Sequence, residues 1–168
     1  MIVNPGVFNS STRRCTVASK PILVCVSPLE PSMRLDDFCS VKTTGTKMVV
    51  GDGPDHARLS SMYTDVHFVP MKNEQSLAHY YSNADVVVCP NGLQGSACFV
   101  AQAACCGTPV AARPHAITDD LIIKHVTGEI CDDIRSAIEL CLKLDREMIE
   151  QLAHILFTRN NNLISHLS

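Results

Sequence analysis

Apolar positions fall in short runs of three to five residues, separated by polar stretches that carry glycine or proline. The runs ILVCV (22–26), TKMVV (46–50), VHFV (66–69), DVVVC (85–89) and VAA (110–112) are rich in β-branched residues and predict strands. Between them the spacing predicts helices over 34–41, 54–62, 73–83 and 96–106, with Leu77, Tyr80 and Tyr81 of the third turned to the core. After the last run come a predicted short helix over 118–125, a strand or loop over 127–131, and helices over 132–144 and 146–158. Residues 1–20 read as a linker or edge segment, 21–145 as the domain proper, and 146–168 as a C-terminal helix and tail. Strands and helices that alternate over short loops predict an α/β fold, a Rossmann-like parallel sheet with helices on both faces. Ligands of such sheets bind outside the carboxyl ends of the strands. Here that means the loops SPLEPS, GDGP, the segment around Pro70 and Met71, and NGLQG.

The chain is centred on residues 84–112, a strand, glycine loop, helix and strand that form a βαβ unit. Ser96 is placed to cap the helix and Gly107 to end it. Residues 98–106 are apolar or small except Gln102, so the helix is expected to be buried on all sides. A buried amide without partners costs about 1–3 kcal/mol. Gln102 therefore bonds either a nearby backbone carbonyl or a ligand at the helix start, where backbone amides favour anions. Gly51 and Gly53 of GDGP carry two readings as well, a tight structural turn or a close backbone approach to phosphate.

Composition narrows the function classes. The 168 residues suffice for one domain burying about 70% of its unfolded surface. A net charge of −3 gives no footprint for nucleic acid or an anionic membrane. No apolar run reaches the ~18 residues of a spanning helix, and the first residues lack the basic and apolar regions of a signal peptide. The nine cysteines include no C-x-x-C pair, and the seven histidines show no ligand spacing. Reduced structural thiols, no metal and a cytoplasmic location are expected.

In order, GDGP, DVHFVP, LAHYYSNADVVVCP and ACCGTPVAA resemble the C-terminal half of a GT-B glycosyltransferase, most similar to family 4, over residues 2–145. NPGVFNSS resembles the connector that enters this half, and LDRE (144–147) its C-terminal end. The resemblance implies a nucleoside-diphosphate-sugar site on this domain and an acceptor site on an N-terminal domain. It implies a hexosyltransferase with no cofactor, the nucleotide sugar being donor substrate. The implied donor-binding residues are Gly51, Gly53, Gln94, Gly95, Ser96, Ala97, Cys98, Gln102 and Arg34.

The chain departs from the family pattern at the charged positions. Two acidic residues of the pattern fall on Gln94 and Gln102, and its aromatic-glycine pair on Ser96 and Ala97. Its Gly-Arg and Glu-Lys pairs fall on Ser27, Pro28, Ser32 and Met33, with Arg34 one place beyond the lysine position. That arginine and lysine neutralise the donor's diphosphate in the family. Two readings follow: the donor half of a glycosyltransferase, completed by a separate acceptor-binding domain or chain, or a catalytically inactive module kept for binding or assembly. A third is another GT-B enzyme, such as a sugar-nucleotide epimerase.

Overall fold

The computed structural model describes residues 3–13, 18–92, 96–117 and 121–158. Six strands, β1 (Ile22–Val26), β2 (Thr46–Val50), β3 (Val66–Val69), β4 (Val86–Cys89), β5 (Val110–Ala112) and β6 (Gly128–Ile130), form one sheet in the order β3-β2-β1-β4-β5-β6. Every pairing is parallel. The helices are α1 (Asp36–Cys39), α2 (His56–Met62), α3 (Glu74–Asn83), α4 (Ser96–Cys105), α5 (Ile134–Cys141) and α6 (Arg146–Thr158). Strand residues alternate between two cores. Val24, Val26 and Val87 meet α3, α4 and α6 on one face. Leu23, Cys25, Val86 and Val88 meet α1, α2 and α5 on the other. Burial on both faces is why β1 is apolar at every position.

Local chemistry sets the helix ends. Asn73 and Ser76 form a reciprocal capping box at the start of α3. The Asp133 side chain accepts from the Arg135 and Ser136 amides to start α5. After α4, Gly107 takes φ 68°, and the Gly107 and Thr108 amides donate to Ala104 and Ala103. This is the Schellman pattern, and it needs a residue at ease with a left-handed backbone. The Arg146 guanidinium then donates to the Ala84 carbonyl (2.7 Å) and to the Thr108 hydroxyl (2.8 Å), tying α6 to the end of α3. Residues 3–13, expected as linker or edge, bury Val3 and Phe8 in the core beside Tyr81, and the Ser10 amide donates to Glu150 on α6.

Two predicted helices differ from those observed. Over 34–41, the helix begins only at Asp36. A 3-10 turn (Pro31–Met33) precedes it, and Arg34 sits at φ 46°, outside the right-handed helical region. Of 118–125, residues 118–120 lie outside the described residues, and 121–125 form no α-helix. Lys124 instead bridges to Gly128, His125 turns the chain at φ 65°, and the Ile123 amide donates to the Thr127 hydroxyl. The tail, 159–168, also lies outside the described residues.

On the α1/α2 side Arg58 grips two carboxylates, Asp36 through Nη1 and Nη2 and Asp55 through Nε and Nη2. The Tyr63 hydroxyl also donates to Asp36. The Arg58 hydrogen bonds hold the Asp36 carboxyl down at about 2. A depressed carboxylate contributes stability above its ordinary pKa, about 3.9, and loses it as pH falls toward the folded value. We therefore expect the thermal midpoint to drop between pH 4 and 2, and Asp36→Asn to flatten that part of the profile. A variant as acid-sensitive as wild type would place the acid response elsewhere.

Candidate functional site

The chain leaves β1 toward α1 on one face of the sheet and leaves β4 toward α4 on the other. Adjacent strands whose connections diverge open a crevice at their carboxyl ends, the usual ligand position in such folds. Here the crevice holds a narrow pit between Met33, Leu35, Cys89, Asn91 and Phe99. Beside it lies an open cleft of about 300 Å³ bordered by Pro28, Gly51, Asp52 and Met71. Val26, Ser27 and Phe99 line both.

The loops around the crevice are held by their own backbone. Beyond the strands, Ser27 donates its amide to Val50, Leu29 to Asp52, and Asp55 to Leu29. The β1 and β2 loops therefore run side by side. A Cβ on Gly51 would lie 2.0 Å from the Ser27 carbonyl oxygen, and one on Gly53 2.3 Å from that of Leu29. Close approach does require both glycines, and the approaching groups are the chain's own carbonyls. Gly51 remains on the cleft wall, and Gly53 is not among the residues bordering it.

The other predicted site residues fall as follows. Gln94 and Gly95 lie outside the described residues, and so does the side chain of Ser96, the first residue of α4. Ala97 and Cys98 are half-buried on the first turn of α4. Gln102 is buried, 7% exposed, and its Oε1 has no hydrogen-bond partner among the described residues. It stands one turn beyond Phe99 and Cys98, at the i+3 and i+4 spacings that share a helix face. Arg34 is exposed and borders neither pit nor cleft, its Nη2 3.9 Å from Asp37.

Sequence reasoning missed three groups in or beside the crevice. Phe99 forms the wall common to pit and cleft. The Asn91 side-chain amide donates to the Met33 carbonyl and joins the β4 loop to the β1 loop. Arg113, directly after β5, reaches Asp37 at 2.8 Å, and its own amide donates to the Cys89 carbonyl. Position was the available signal: Asn91 and Arg113 each come within two residues after a predicted strand.

Cys25 and Cys89 line the pit as free thiols. Burial pushes Cys89 up to about 12 and Cys25 well above its ordinary value, so both are protonated at neutral pH and neither is poised as a nucleophile. All eight cysteines among the described residues are unpaired. No three or more of the described His, Cys, Asp and Glu residues are grouped to hold a metal ion. No helix among the described residues is long and apolar enough to cross a membrane.

The family model for glycosyl transferases group 1 matches residues 20–146. A GDP-mannose-dependent alpha-mannosyltransferase of Mycobacterium tuberculosis is 34% identical over 119 residues, covering 69% of this chain and 31% of that protein. Anabaena HepE, solved with UDP and glucose, superposes with a TM-score of 0.68 at 15% identity, over 99% of this chain and 55% of that one. The C-terminal domain of a glycosyl transferase group 1 family protein from Francisella tularensis gives a TM-score of 0.67 at 13% identity, over 90% of this chain and 92% of that one. These two likenesses are of fold. The chain spans about a third of the length of the curated relatives it matches.

Proposed function

Because the chain belongs to the group 1 glycosyl transferases, we propose that it is the donor half of such an enzyme and binds a nucleoside-diphosphate sugar in the β1/β4 crevice. Transfer to an acceptor then takes place against a separate acceptor-binding domain or chain. The donor is substrate, and no cofactor or metal takes part. Unpaired thiols at all eight described cysteines agree with a reducing compartment such as the cytoplasm.

The observation that carries the reading is Gln102, a buried amide oxygen without a partner among the described residues, one turn along α4 from the crevice-lining Phe99. A buried acceptor without a donor is costly, and a ribose hydroxyl supplies the missing donor. Calorimetry with UDP and GDP tests this. We expect Gln102→Ala to weaken binding about 5- to 30-fold, the worth of one such bond of about 1–2 kcal/mol. Equal affinities for wild type and variant would remove Gln102 from the site.

One observation favours the alternative of an inactive binding or assembly module. Pro28 and Met33, where the family pattern carries its diphosphate-neutralising cations, border the crevice with uncharged side chains. Under that reading the nucleotide still binds, and turnover is absent even when an acceptor domain is supplied.

A further inference from the structure

Two guanidinium groups share one carboxylate beside the crevice: Arg34 lies between Met33 and Leu35 of the pit lining, and the Arg113 amide donates to the carbonyl of Cys89 in the same lining. Arg113 Nη1 lies 2.8 Å from Asp37 Oδ2, and Arg34 Nη2 lies 3.9 Å from the same oxygen. The trio therefore carries one positive charge in excess. Its members come from three separate places: Arg34 from the β1 loop, Asp37 from the first turn of α1, and Arg113 from the residue that follows β5. The Arg113–Asp37 pair thus joins the β1 side of the crevice to the β5 side, beside the Asn91–Met33 bond that joins the β4 loop to the β1 loop.

The pair is only partly engaged. Arg113 has five N–H donors available in a fixed fork. Nη1 serves Asp37, and the buried Nε has no partner among the described residues. The side chain is 31% exposed and the Asp37 side chain 24%, so both reach solvent. A half-buried arginine that meets a carboxylate with one nitrogen retains the geometry for a second, bidentate acceptor such as a phosphate. Structural pairing alone would be better served by the two-nitrogen grip that Arg58 makes on Asp36.

We propose that Arg113 is the cation that receives the diphosphate of the bound nucleotide, with Asp37 holding it beside the crevice until the ligand's phosphates displace the carboxylate. The proposal rests on the donor-binding reading given above and adds the residue that supplies its positive charge. Arg34, more exposed and farther from Asp37, is the lesser contributor.

The test is calorimetry of wild type, Arg113→Gln and Asp37→Asn with UDP, GDP, uridine and guanosine, each variant checked for an unchanged melting profile. Arg113→Gln should weaken the nucleoside diphosphate at least 10-fold and leave the nucleoside unaffected. Asp37→Asn removes the competing carboxylate and should tighten the diphosphate about 3- to 10-fold, even if Arg113→Gln proves too unstable to measure. Wild-type binding of UDP or GDP with no loss in Arg113→Gln, equal losses for nucleoside and diphosphate, or no gain in Asp37→Asn would each overturn the role of Arg113 and leave the donor site standing. Failure of wild type to bind either diphosphate would overturn the donor site itself, and the assignment of Arg113 with it.

Discussion

Gly51→Ala is expected to lower the thermal midpoint by about 6–12 °C, a large effect for one methyl group. The added Cβ would lie 2.0 Å from the Ser27 carbonyl oxygen and 2.9 Å from its carbonyl carbon, both backbone atoms that no rotamer change can move away. Relief requires parting the β1 and β2 loops, which are joined there by the bonds from Ser27 to Val50 and from Leu29 to Asp52. Overpacking and backbone strain of this kind cost roughly 1–3 kcal/mol each, together about 3 kcal/mol. In a domain of this size each kcal/mol moves the midpoint by about 2–4 °C. Asp52→Ala, at the exposed position between the two glycines, is the control and should stay within about 0.5 kcal/mol of wild type. If Gly51→Ala melts with the control, the two loops are free to separate and the close approach is not a constraint on the fold.

That glycine shows where sequence reading stopped. GDGP offered a tight turn or a phosphate cradle, and nothing local distinguishes them, because both need a backbone without a Cβ. The Ser27 and Leu29 carbonyls that occupy the space are 24 residues away in the chain and arrive only through the β1–β2 pairing. The strands themselves were legible: fully buried parallel strands must be apolar at every position, and β1 shows as an unbroken run. Gly107 was legible too, as a residue whose own chemistry ends a helix. Arg34 misled because helix spacing runs through 34–41 while the prolines before it impose a 3-10 turn and a left-handed residue. The Arg113–Asp37 pair spans 76 residues and the Asn91–Met33 bond 58. Such contacts depend on the strand order β3-β2-β1-β4-β5-β6, which alternation of strands and helices does not specify.

The 168-residue chain, purified alone, is expected to give no measurable glycosyl transfer from a radiolabelled nucleotide sugar to a broad acceptor mixture, and little donor hydrolysis. The described residues form one sheet with one set of loops at its carboxyl ends, and the cleft there is open to solvent. Positioning of two reactants is worth roughly 7–11 kcal/mol of barrier, enough to take a turnover of seconds to one of days or longer. Charge compounds the loss. Pro28 and Met33 contribute no cation to the crevice, so Arg113 is left to meet the charge that develops on a departing diphosphate, and preorganised groups of that kind are each worth about 3–4 kcal/mol. Gln94 and Gln102 are uncharged at the positions where the family pattern is acidic. Adding Pro28→Arg, Met33→Lys, Gln94→Glu and Gln102→Glu together should tighten UDP or GDP binding, since the two new cations face the crevice that the phosphates enter. Transfer should still require an acceptor-binding partner, because no substitution on this sheet supplies the opposite wall. Robust transfer by the unmodified chain would show that the crevice positions an acceptor by itself, and would overturn its reading as the donor half of the enzyme.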